Sequence, residues 1–470
     1  KTMEKHHFLF FSINTDWQSK KIWQFWVVLI FAISPQLGNA QSDVLDKYVQ
    51  AGLDSNLALR SESLNIEKQL EVLEQSKALF RPNVSFNASY TMAGGGRTID
   101  LPLGDLLNPA YSALNQLTGA NNFPMLANQS EQFLPNNFHE TKIRVIQPLF
   151  NSDIYYGYKA NKELISVKQA QKKVYEQELT KQIRQAYFQY LQAEKVISIY
   201  EDTKVLLAEI LRVNESLVKN DKATSEVIYG TEYEISKVEQ QIVQISNNRK
   251  VAQAYFNFLL NRDLEAEIEA DEQILTKFSL TSAELAKSEE DALKQRAEFE
   301  QLQAAMNAQS VVIDMKDKQK LPTVALVGDL GYQGFDYKFD NTQDFWLVQL
   351  SLKWNIYQGG ARKSALQQAK IEHSLLQNQY EELESKIRLQ VKQAFYAYQT
   401  AIKSVQTAQA GLKSAEQNYK ISERKHREGL LPSFQLLDTQ TKLTSAKLAL
   451  AISQYDVLIK QAELQRVAGS

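Results

Sequence analysis

The sequence predicts an α+β membrane protein made of two copies of one unit, each giving a pair of strands to a barrel and a pair of very long helices to a tube that continues it. Three observations predict this class. The chain repeats itself internally, its candidate strands alternate greasy and wet residues, and its helical tracts carry unbroken heptad seams too long for a compact domain.

The repeat is read directly. Ile183-Arg184-Gln185-Ala186-Tyr187-Phe188-Gln189-Tyr190 lines up with Val391-Lys392-Gln393-Ala394-Phe395-Tyr396-Ala397-Tyr398 at an offset of 208 (391 − 183), and the offset still holds where Ser225 meets Ser433 and Thr231 meets Thr439. A second pairing, offset by 240 (322 − 82), sets Leu53 on Leu293 and Arg81-Pro82-Asn83-Val84 on Leu321-Pro322-Thr323-Val324. The difference lies in a longer segment after the first strand of the first copy.

Each element follows from its local pattern. In the second copy Val348, Leu350, Leu352, Trp354 and Ile356 alternate with Gln349, Ser351, Lys353 and Asn355, opposite Val324, Leu326, Gly328, Leu330 and Tyr332. In the first copy the strands are Val84 to Tyr90 and Ile143 to Phe150, the latter interrupted by Arg144 and Pro148. Pro82 and Pro322 stand at strand entries, where a missing N–H does least harm. Ile387, Val391, Ala394, Tyr398, Ala401, Val405, Ala408, Leu412, Ala415 and Tyr419 step by four and three, and Leu179 to Leu211 does the same with Lys204 as one gap. A continuous helix from Ile154 to Lys219 would run about 100 Å.

The expected organisation is a signal peptide at 1–40, a first repeat at 41–262, an equatorial linker at 263–290 and a second repeat at 291–470. The first repeat has a helix, strands 82–92 and 142–150 and a helical hairpin 154–262. The second has a helix, strands 321–332 and 345–357 and a hairpin 360–468. Lys20 and Lys21, the apolar run Ile22 to Ile33 and the small residues Gly38-Asn39-Ala40 carry the leader, with cleavage expected after Ala40.

Composition excludes several functions. With 53 basic and 55 acidic residues interspersed, no positive field is available for nucleic acid. Zero cysteines leave no disulfide framework, and five histidines without ligand spacing support no metal site. No nucleophile–base pair stands out, so no catalytic residue, enzyme activity or cofactor is expected. Gly94-Gly95-Gly96-Arg97 lacks the Gly-Lys-Ser/Thr of a phosphate loop and reads as part of an outer loop.

Four strands cannot close a pore, and open sheet edges are not tolerated in lipid. Three copies supply twelve strands, enough for a barrel with a wet lumen. A coiled-coil tether that never enters the membrane is the competing reading, and it leaves the strand pairs without a role.

Across 41–470 the order of elements resembles the TolC-like outer-membrane efflux proteins. The match is carried by Val44-Leu45-Asp46 to Leu53 with Asn56-Leu57, by its counterpart Ala292-Leu293 to Arg296-Ala297, and by the strand entries at 82 and 322. Most specific is Arg427-Glu428-Gly429-Leu430-Leu431-Pro432-Ser433-Phe434-Gln435-Leu436-Leu437-Asp438-Thr439-Gln440, similar to the family's hairpin tip followed by a Leu-Asp-x-Gln helix start. The resemblance implies a homotrimer of twelve-stranded β-barrel and α-helical barrel in the bacterial outer membrane, extending into the periplasm. Its implied partners are outer-membrane lipid, a periplasmic adaptor and an inner-membrane transporter, for a tripartite efflux pump or type I secretion.

It also implies site residues. Loops 93–141 and 333–345 would lie outside the cell. The tips Asp221, Lys222, Ala223 and Gly429, Leu430, Leu431 would face the adaptor. Gln435 and Asp438 would form the periplasmic constriction; one acid of the family's pair is thereby an amide, and Asp438 serves either that ring or its own helix. Val227 and Gly230 carry no acid. Tyr90, Trp346, Trp354 and Tyr357 fall near strand ends, as interfacial aromatics do.

Overall fold

In a computed structural model, residues 44–271, 274–277 and 284–469 are described; the leader expected at 1–40 lies outside them. The elements run α1 (Val44–Ser55), α2 (Leu57–Ala78), β1 (Asn83–Thr91), β2 (Thr98–Leu101), α3 (Leu103–Thr118), β3 (Gln129–Gln132), β4 (Phe138–Phe150), α4 (Ser152–Lys219), α5 (Glu226–Leu259) and α6 (Ile274–Lys277). They continue as α7 (Leu285–Gln295), α8 (Ala297–Lys318), β5 (Thr323–Phe335), β6 (Asp344–Lys353), α9 (Ala361–Arg427) and α10 (Ser433–Ala468). No described helix is long and apolar enough to cross a membrane.

The main sheet is antiparallel in the order β1-β4-β5-β6, so β1 and β6 each keep one unpaired edge. β4 is longer than expected at its outer end, and it pairs with β5 from Phe138↔Phe335 inward until the register shifts between Pro148 and Phe150. Proline has no N–H to give the ladder, and the chain leaves the sheet there for α4.

The helices are rods. α4 has 68 residues and α9 has 67, and their seams are buried where the return helices α5 and α10 cover them. Tyr187, Leu179, Ile183 and Phe256 centre one core, and Ile387, Val391, Tyr398, Val457 and Val467 a second. A smaller cluster of Leu207, Ile210, Val238 and Leu436 joins the two hairpins near their tips. Tyr187 Oη donates to the Glu269 carbonyl (3.0 Å) and accepts from Asp271 N–H (2.9 Å), which pins the linker to the first core.

Two expectations need correction. The single helix expected before each strand pair is broken in both halves, at Asn56 (φ −64°, ψ 125°) and at Arg296 (φ −68°, ψ 122°). These positions differ by 240 (296 − 56), the offset already read from the strands. Asn56 Oδ1 accepts from the Ala58 and Leu59 N–H groups as an N-cap, and its amide donates to the Leu259 carbonyl (2.8 Å). Arg296 makes no cap; its guanidinium pairs with Glu298 and donates to the Val467 carbonyl (3.3 Å). The two carbonyls are themselves related by 208 (467 − 259).

The second correction concerns 93–141, which contains β2, α3, β3 and the start of β4 rather than loop alone. β2 pairs with β3 as a two-stranded ribbon framing α3.

Candidate membrane face, inner wall and hairpin tips

Side chains alternate across a strand, so the register sorts the sheet into two faces. Phe86 faces Ile143, Ile143 faces Leu330 and Leu330 faces Trp346; one row further in, Val84, Val145, Gly328 and Val348 share that face. Phe86, Leu330, Val348, Leu350 and Leu352 on this face are all more than 60% exposed. So broad an apolar surface is not left to water by a folded protein. Tyr90 and Trp346 stand toward its outer end, and Trp354, just beyond β6, closes its inner end with Nε1 donating to the Lys320 carbonyl (3.0 Å).

The opposite face is polar. β1 gives it Ser85, Asn87 and Ser89, and β4 and β5 give it a charge cluster. Arg144, which looked like an interruption of its strand, donates from Nε and Nη2 to the two carboxylate oxygens of Asp329, both at 2.7 Å. Lys142 reaches Glu140 at 2.6 Å and Asp329 at 3.7 Å. Two acids and two bases balance. Gly331 lies opposite Lys142, where a Cβ would come within 2.7 Å of the Thr141 carbonyl oxygen and of Lys142 Cα and Cβ, so glycine lets β5 lie this close to β4.

At the other end of the rods both tips use one turn. At the second, Gly429 sits at φ 72°, with Gly429 N–H donating to the His426 carbonyl (2.9 Å) and Leu430 N–H to the Lys425 carbonyl (2.8 Å). This is a Schellman ending, with the left-handed residue following the cap. At the first, Asp221 takes φ 56°, Asp221 N–H donates to the Val218 carbonyl (3.0 Å) and Lys222 N–H to the Leu217 carbonyl (2.9 Å). Asp221 and Gly429 differ by 208.

Buried polar groups join the tips. Ser433 Oγ donates to Asn214 Oδ1 (2.8 Å), and Asn214 Nδ2 donates to Thr231 Oγ1 (3.0 Å); Asn214 and Thr231 are fully buried. Thr203 and Thr444 hydroxyls meet at 3.0 Å one layer further up. A cleft of about 930 Å³ opens between the tips, lined by Lys222, Val227, His426, Leu431 and Phe434. His426 Nδ1 donates to the Leu431 carbonyl (2.9 Å), which closes the turn.

The expected site residues fall on this end. Asp221, Lys222 and Leu430 are exposed, while Ala223 and Leu431 are half-buried. Gln435 and Asp438 are exposed and three residues apart on α10, on the side away from buried Leu436, Thr439 and Gln440. Asp438 is ion-paired with Lys442 at 2.6 Å. Phe434, Tyr229 and Tyr233, all more than two-thirds exposed beside the tips, are further candidates that the tip motif does not single out. The four-residue spacing of Tyr229 and Tyr233 was the available signal. Among the described residues no group of three His, Cys, Asp or Glu side chains is placed to hold a metal.

Residues 290–470 match the family model described as outer membrane efflux protein. That stretch of the chain, its second half, is thus similar to the outer membrane efflux proteins, and the chain is TolC-like. It is 22% identical over 447 residues to outer membrane protein TolC of Escherichia coli, covering 91% of this chain and 82% of that one. It is 23% identical over 299 residues to the probable efflux pump outer membrane protein TtgC of Pseudomonas putida, covering 62% of this chain and 58% of that relative's length. The fold matches the Campylobacter jejuni CmeC outer membrane channel with a TM-score of 0.71 at 15% identity, over 91% of this chain and 86% of that one. As a TolC-like protein the chain resides in the outer membrane and reaches into the periplasm.

Proposed function

We propose that the chain is the exit duct of a tripartite efflux pump or type I secretion system, through which substrate passes passively to the exterior. The observation that carries this is the four-stranded sheet: one face apolar and exposed, the other polar and charge-balanced, with an open edge at each side. Lipid takes the first face and water the second. The edges are satisfied when β6 of one copy pairs with β1 of the next, and three copies close a twelve-stranded barrel. The rods then continue the tube, and the repeats explain why each copy supplies two strand pairs and two hairpins.

In this reading the tips, with Asp221, Lys222, Ala223, Gly429, Leu430 and Leu431, dock a periplasmic adaptor that leads to an inner-membrane transporter. Gln435 and Asp438 border the periplasmic opening. Three Asp438 carboxylates around the axis attract cations, although Lys442 offsets part of that charge.

The test is planar-bilayer conductance of the purified protein together with its mass in mild detergent. Discrete channels from a particle of three chains are expected. A monomer that never inserts would refute the duct. In the same recordings Asp438→Ala is expected to lower cation selectivity or raise resting conductance; unchanged behaviour removes Asp438 from the opening.

A further inference from the structure

We propose that helix α3 is a contact between copies of this chain at the outer mouth of the barrel. The proposal rests on the trimeric barrel above, because it needs a neighbouring copy beside β1.

Its basis is which face of the helix is already used. Gly104, Asn108 and Asn115 lie on one side of α3, and the returning chain packs there: Asn108 accepts from Leu126 N–H (2.7 Å) and donates to its carbonyl (2.9 Å), while Asn115 accepts from Phe123 N–H (2.9 Å) and donates to its carbonyl (2.7 Å). Gly104 is buried, and a Cβ there would press on Asn128 and the Leu126 backbone. Asparagines therefore hold this helix in place. At 100° per residue Leu103, Leu106, Leu107, Leu114 and Leu117 fall together on another face, and every one of them is exposed, Leu106 by 69% and Leu117 by 85%. A leucine stripe that takes no part in its own unit's core is built for another surface.

Charge and position select that surface. Helices that lie on a membrane carry Lys or Arg on their polar face to hold anionic headgroups. α3 has none. Residues 93–137 contain one base, Arg97, against Asp100, Asp105 and Glu131, and such a segment is repelled by an anionic leaflet. The whole insertion springs from the outer end of β1, an edge strand whose open side is where the next copy must pair. A second copy's insertion is thus the apolar surface within reach, and three stripes meeting about the axis narrow the outer mouth.

The chain has no cysteine, so single thiols can be placed without background. The experiment compares Leu106→Cys and Leu117→Cys with Ser112→Cys, which is exposed on the far side of the same helix, in outer-membrane fragments treated with a short bis-maleimide. Crosslinked dimers, the largest product that one thiol per chain allows, are expected from the two leucine positions and not from Ser112→Cys. Equal or absent crosslinking in a protein whose detergent mass is still three chains overturns this proposal and leaves the duct standing. Quenching of a fluorophore on Leu106→Cys by lipid-borne quencher overturns it in favour of a membrane-surface helix. A monomeric mass overturns both.

Discussion

The two halves of the molecule make the same joints with different chemistry. At the elbow between paired helices the first half uses Asn56, a neutral cap that also holds the Leu259 carbonyl, whereas the second uses Arg296, a guanidinium paired with Glu298 that also holds the Val467 carbonyl. At the tip the first half forces Asp221 into the left-handed region that Gly429 occupies freely in the second. A duplicated fold thus preserves the bond that a joint must make, here a donor to one particular carbonyl, more strictly than the residue that makes it.

The comparison can be broken most severely at Arg296. Its side chain is 4% exposed and that of Glu298 21%, so Arg296→Ala strands a carboxylate and a carbonyl and is expected to cost about 3 to 5 kcal/mol in urea unfolding followed by circular dichroism. The elbow should also respond to acid. Burial raises the Glu298 pKa, but the hydrogen bond and charge of Arg296 outweigh it and hold the group below its ordinary 4.5. A depressed carboxylate stabilises above its unfolded pKa and loses that contribution as pH falls through the folded value. The wild type should therefore lose stability below about pH 4.5 more steeply than Glu298→Gln, and equal slopes would refute the assignment.

Asn56→Ala removes a cap and a buried donor without stranding a charge, and about 2 kcal/mol is expected by the same measurement. A cost equal to that of Arg296→Ala would show that the two elbows are energetically alike. The tips come last. Gly429→Ala places an L side chain at φ 72° and should cost about 1 to 2 kcal/mol, while Asp221→Gly should gain less than about 1 kcal/mol. If both substitutions destabilise equally, Asp221 makes a contribution that its backbone conformation does not account for.

Much of this architecture was legible because it is periodic. Heptads from Ile387 to Tyr419 and the alternation from Val348 to Leu352 are local signals, and the offset of 208 ties Asp221 to Gly429 without sight of either turn. What stayed hidden depends on distance or on weak local preference. Arg144 read as a flaw because its partner, Asp329, lies 185 residues away and on another strand. Helix α3 is masked in the sequence because Pro109 and its asparagines are poor helix formers, and the chain that satisfies those asparagines returns only afterwards. The tip positions could be located by offset and motif, but their buried bridge could not. The Ser433–Asn214 bond joins two hairpins, and nothing in the sequence near either residue announces the other.

The 68 residues of α4 have a mechanical consequence. A rod about 100 Å long is a lever with its fulcrum at the sheet, and one degree of tilt there displaces the far end by about 1.7 Å. A handful of degrees moves a tip by more than the width of a side chain. Small angular play where α4 leaves β4 is thereby multiplied into a large displacement at the opposite end, without any residue at the tip having to change its own conformation.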